Sequence, residues 1–125
     1  MNAQKYNKLF YSDRQSQILS IPGIVTRENI DLNFYDFPTV LRETLVNDCW
    51  VESIIVNVIN AFNTGAISVS DTAVIVDPSR VDLTIVQPYE IPIWKQYPAG
   101  TVFTINLTGA PTSGIGKVIF KLSAT

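Results

Sequence analysis

Side chains able to do chemistry are sparse in this chain. It has no histidine and a single cysteine, Cys49, set between Asp48 and Trp50. Without imidazole the chain lacks the commonest general base and the commonest metal ligand. Triads built on histidine, zincin motifs and zinc-finger spacings are therefore absent. A thiol with no imidazole to activate it is expected to act as a small, partly buried hydrophobe rather than a nucleophile. One cysteine also rules out an intrachain disulfide framework and fits a reducing compartment.

The carboxylates are no more suggestive. A glycosidase needs two of them facing across a cleft, whereas the 11 acidic residues are scattered singly, at expected turns or on polar strand faces. Capping and solvated roles are expected for them. Asp77 and Asp82 suit calcium only loosely, because no EF-type spacing surrounds them. Residues 113–116, "SGIG", echo a phosphate loop but lack the Gly-Lys-Ser/Thr ending, and they join two expected strands, so a hairpin turn is the expectation. Asn106-Leu107-Thr108 fits the glycosylation sequon, a match common by chance. No catalytic residue, cofactor or metal site is expected. What remains is aromatic: Tyr89, Trp94 and Tyr97 in "PYEIPIWKQYPAG" could stack on a sugar, seal one end of the domain or contact a neighbouring subunit.

These side chains need a scaffold, and the pattern from residue 50 onward is that of strands. In "VESIIVNVINAF", Ile54, Val56, Val58 and Phe62 share one face, with Ile55, Asn57, Ile59 and Ala61 on the other; β-branched residues abound, so a strand is favoured over a helix. Asn63-Thr64-Gly65 and Asp77-Pro78-Ser79-Arg80 supply turns. Three prolines in "PYEIPIWKQYPAG" remove ladder donors and confine it to an edge or a loop. In "TVFTINLTG", Phe103, Ile105 and Leu107 alternate with Thr104, Asn106 and Thr108. In "KVIFKL", Val118, Phe120 and Leu122 alternate with Lys117, Ile119 and Lys121. Earlier, "QILSIPGIV" and "NIDLNFYDF" read as extended, while Pro38–Asp48 suits either a short helix opened by Pro38 or a strand, with the strand preferred. Short alternating strands punctuated by turns define an all-β fold, a single antiparallel β-sandwich, with jelly-roll the expected type. Residues 1–20 are read as an extended N-terminal arm, with Phe10 and Tyr11 available to a partner, and residues 21–125 as the sandwich domain.

Length and composition agree with one domain. The chain has 125 residues, 46% hydrophobic and 16% charged, with a net charge of −2. That is enough chain for one real core, and the charged share is low against the ~25% usual in soluble domains. Such a surface suits either coverage by partners or faces of Thr, Ser and Asn. No basic cluster is available for phosphate contacts, so nucleic acid is not an expected partner. Apolar runs such as Ile54–Val56 are far short of the ~20 residues of a membrane span. "MNAQKYNKLFYSDRQSQ" lacks the apolar stretch of an export signal. A soluble protein is expected.

The order of segments resembles the small β-sandwich virion proteins of tailed phages, namely jelly-roll head-decoration or cement proteins and related minor structural proteins. The residues that carry the likeness are "VESIIVNVINAFNTGAISVSD" and "YEIPIWKQYPAGTVFTINLTGAPTSGIGKVIFKL", covering about residues 50–122. The resemblance implies a non-enzymatic virion protein, assembled in the bacterial cytoplasm, that docks on the major capsid protein and self-associates, with a trimer favoured. In that setting Phe10, Tyr11, Tyr89, Trp94 and Tyr97 are the expected partner-facing residues. The alternative is a carbohydrate-binding module of a virion fibre, tail or surface protein, resting on Tyr89, Trp94 and Tyr97.

Overall fold

The computed structural model describes residues 10–12 and 25–125. Among these residues the regular structure is antiparallel β: β1 Phe10–Ser12, β2 Val25–Asn33, β3 Thr39–Leu45, β4 Cys49–Asn60, β5 Ala66–Ser70, β6 Val74–Val76, β7 Pro88–Tyr97, β8 Val102–Thr108 and β9 Ile115–Ala124. Single 3-10 turns at Phe34–Asp36 and Pro78–Arg80 complete it. Five strands form one sheet in the order β1-β3-β8-β5-β6, and four form the other in the order β2-β9-β4-β7.

Alternation decides which side chains meet. In a strand, successive residues face opposite sides, so one row can be wholly apolar. On β8, Phe103, Ile105 and Leu107 are buried while Thr104 and Asn106 lie half-buried on the outer side. On β9, Val118, Phe120 and Leu122 are buried between Lys117, Ile119 and Lys121. These rows close on each other between the sheets: the rings of Phe103 and Phe120 lie 5.4 Å apart, and Tyr97 of β7 meets Phe103 edge-on at 4.9 Å. The residues buried from both sheets form one continuous core.

Pro38–Asp48 resolves as strand β3, with Leu41, Glu43 and Leu45 turned inward and Arg42 exposed. Its Thr and Val residues suit a pleated surface, and β8 satisfies its backbone in the register Leu41↔Ile105. The proline-bearing segment is β7, an edge strand as its missing donors require. The Asp77 turn forms as its residues indicate, the carboxylate accepting from the Ser79 N–H at 2.9 Å.

Two expectations change. The glycine-rich loop after β8 is not a hairpin: β8 pairs with β3 and β5, whereas β9 pairs with β2 and β4 in the opposite sheet. The loop therefore carries the chain across the sandwich. Within the supposed N-terminal arm, Phe10–Ser12 is an edge strand beside β3, in the register Tyr11↔Thr44. The other residues of 1–20 lie outside the described residues.

Gly114 makes the crossing possible. Its φ of +135° is a conformation that side chains rarely adopt, and a Cβ there would run into the ring of Phe62, itself 1% exposed. Gly114→Ala is expected to lose about 3 kcal/mol, from backbone strain plus overpacking, read as a lower urea midpoint. An unchanged midpoint would mean that the loop relaxes freely.

Candidate functional site

Cys49, Asp77 and Asp82 each have a structural occupation. Cys49 is 0% exposed. Burial, and secondarily the neighbouring Asp48 carboxylate, push its thiol up to about 12. That is the reverse of what activates a nucleophilic cysteine. Asp77 and Asp82 each close a turn on their own neighbours: Asp82 accepts from the Thr84 N–H at 2.9 Å and the Thr84 hydroxyl at 2.6 Å. Those bonds hold the Asp82 carboxyl below its usual range, and the equivalent bonds from Ser79 do the same for Asp77. Among the described residues, no three acidic or thiol side chains gather as a metal site would need.

Two carboxylates do point between the sheets. Glu28 on β2 stands in register with Phe120, and Glu43 on β3 with Phe103. Since those two rings touch across the core, the acids lie at one level, near the same side of the sandwich. They are 9% and 3% exposed, and neither is without a partner. At that burial they belong to the enclosed interior of the fold.

The three aromatic side chains singled out by the sequence share β7 but not a face. Tyr97 is 4% exposed; its hydroxyl donates to Asp71 Oδ2 at 2.7 Å and its ring lies against Phe103. Tyr89 is half-buried against the core, its hydroxyl donating to the Asp82 carbonyl at 2.7 Å. Trp94 alone of the three is presented to solvent, at 66% exposure. A flat platform of three rings is therefore not what this strand presents, because the pleat turns Tyr89 and Tyr97 inward. Phe10 and Tyr11 fall on β1, where only the strand pairing is described.

Trp94 owes its position to a bulge. Between the pairs Val51↔Lys95 and Ser53↔Pro92, β7 carries Ile93 and Trp94 against the single residue Glu52 of β4. The extra residue is accommodated by Trp94 at φ +49°, in the left-handed region. For a bulky side chain that is a true outlier, costing of order 1–3 kcal/mol, and such residues concentrate where a surface has work beyond folding. Trp50, 40% exposed, lies in register with Gln96 on the adjacent strand.

The other end of the same sheet carries a surface that sequence reasoning missed. Phe34 and Tyr35 follow β2, Ile115 opens β9, Ile59 sits in a second bulge near the end of β4, and Ile85 and Val86 precede β7. Their exposures run from 36% at Phe34 to 70% at Tyr35. Register makes them neighbours, since Asn33 and Asn60 both pair with Ile115 and the Val58 N–H bonds to the Gln87 carbonyl. Contiguous exposed apolar side chains of this kind mark interaction sites rather than scatter. The signal in the sequence was the broken alternation at "NVINAF", which strand periodicity alone assigned to an outer face without regard to its neighbours.

The Asp71–Tyr97 contact joins the sheets, because Asp71 follows β5 and Tyr97 ends β7. Desolvation, the largest single influence, raises the Asp71 pKa, yet hydrogen bonds from Ala73 N–H, the Tyr97 hydroxyl, Thr72 N–H and Lys95 outweigh it, leaving the carboxyl well below its usual range. Comparison of the chain with protein-family models, with curated proteins and with solved structures finds no match.

Two expectations follow. Because the folded Asp71 holds its proton less tightly than the unfolded group, it contributes stability above about pH 4 that is lost as pH falls further. Asp71→Asn should therefore flatten the acid limb of a stability-against-pH curve measured by urea unfolding. Cys49 should resist a thiol reagent at pH 8 in the native protein and react fully in denaturant. Fast labelling of the native protein would contradict its burial.

Proposed function

We propose that this protein is a non-enzymatic structural component of a tailed-phage virion that docks on the capsid shell and stabilises it. The observation that carries the reading is the exposed apolar row of Phe34, Tyr35, Ile59, Ile85, Val86 and Ile115, together with Trp94, on a domain whose one thiol is buried. A surface of that apolarity suits a protein partner. A rigid sandwich offers it without an ordering cost, which favours tight docking.

The connectivity supports the finer fold assignment as well. Leaving β1 aside, the sheets run β2-β9-β4-β7 and β3-β8-β5-β6, and each link between consecutive strands changes sheet except the β5–β6 hairpin. Eight strands wound in this way make two Greek keys, the jelly-roll arrangement common in capsid and lectin domains. The fold class is compatible with many functions and adds to the reading only as analogy.

The second reading, a carbohydrate-binding module, rests on Trp94, whose exposed ring is of the kind that stacks on sugar faces. Both readings meet in one variant. Trp94→Gly removes the ring while relieving the left-handed backbone, so stability should stay within about 1 kcal/mol of the parent. Capsids lacking this protein should show missing density by electron microscopy, and added protein should restore it. Tyr35→Glu and Ile115→Glu together should weaken that rebinding at least tenfold. Unchanged heads would overturn the capsid reading, and glycan-array binding abolished by Trp94→Gly would replace it with the second.

A further inference from the structure

We propose that β2 is the contact strand of a homodimer, in which two copies pair their β2 edges antiparallel about a two-fold axis through Asn29 and join their four-stranded sheets into one of eight. The inference stands on edge geometry and does not depend on the capsid reading.

A sheet edge presents unpaired backbone donors and acceptors, and folded proteins protect such edges with short strands, prolines, bulges and charged side chains, inward-pointing ones included. Two of the four edges here are short or interrupted. β6 has 3 residues, while β1 is described over Phe10–Ser12 only. β7 carries Pro88 and Pro92 and is interrupted by the bulge at Trp94. β2 is different. It runs 9 residues from Val25 to Asn33 without proline, glycine or bulge, pairing residue for residue with β9 on its inner side. Its outer side has no strand beside it among the described residues. Its outward row, Val25, Arg27, Asn29 and Asp31, is exposed throughout.

The charges on that row select the occupant. In an antiparallel pair, residues directly opposite lie on the same face, so a symmetric pairing must centre on one residue. Centring on Asn29 sets Arg27 opposite Asp31 of the second copy, and Asp31 opposite its Arg27. Glu28 then faces Ile30 across the pair. Centring on Glu28 would instead oppose two buried carboxylates, a costly arrangement. Mixed charges that become complementary under a two-fold rotation favour a second copy over an unrelated strand, and they fix the register. Such a contact is isologous and closes at two subunits. It thus differs from the trimer that the resemblance implies.

Light scattering on the full chain should give twice 13.9 kDa. Arg27→Asp should weaken the dimer at least tenfold, as should Asp31→Arg, and combining them should restore it, because the charge pattern is only inverted. Asn29→Cys should form a disulfide-linked dimer under mild oxidation, since opposed Cβ atoms on paired strands lie about 5 Å apart; Cys49 is buried and free and does not compete. Any of three results would overturn the proposal: a monomer, a trimer, or a dimer indifferent to both charge reversals. None of these results bears on whether capsids bind the protein, so the two readings fail separately.

Discussion

The contact on which the structure depends is the closure of one sheet on the other through the rings of Phe103 and Phe120, 5.4 Å apart. Both side chains are fully buried, and each is flanked along its own strand by aliphatic residues of the same row. The two strands are consecutive in the chain but belong to different sheets. Everything between them must therefore turn the chain through the thickness of the core, which is why the loop carries Gly109 and Gly114, both with positive φ. Tyr97 extends the same contact outward, its ring on Phe103 and its hydroxyl on Asp71. One of the three aromatic residues considered for a sugar-stacking platform is thus a strut between the sheets.

Closing the sandwich also creates its surfaces. A strand that must bury one row has no freedom to hide the other, and where alternation breaks, side chains are turned out. The bulge opposite Glu52 turns out Trp94, and the unpaired Ile59 turns out at the far end of the same sheet. Exposure of large apolar groups at both ends of one sheet is then a consequence of backbone irregularity and not of composition alone. The low charge content leaves these groups without a polar rim of the usual density. The apolar row and the β2 edge, which has no strand beside it among the described residues, are exposed features of different kinds, one of side chains and one of backbone.

Much of the fold was legible before any coordinates. The inward rows of β4, β8 and β9 follow from period-two alternation, β7 as an edge follows from its prolines, and the Asp77 turn follows from the Asx chemistry of Asp-Pro-Ser. Strand partners were not legible. Alternation in "TVFTINLTG" and "KVIFKL" is the same whether the two strands pair with each other or face each other across a core, so a short glycine-rich loop suggested a hairpin. Nor was it legible that Tyr89, Trp94 and Tyr97 diverge, because the bulge that separates them is a property of two strands taken together.

By itself, then, the sequence determined that this is an all-β protein with a single thiol and no imidazole chemistry, because residue type, counting and local periodicity are properties of the chain. The tertiary structure alone decided which rows meet, where Glu28 and Glu43 are enclosed and which aromatic rings reach solvent. Those outcomes depend on strand order and register, which are set by long-range pairing: β2 with β9, and β3 with β8. No short window of sequence contains both members of such a pair, and the face a side chain finally shows is fixed only when its partner strand is in place.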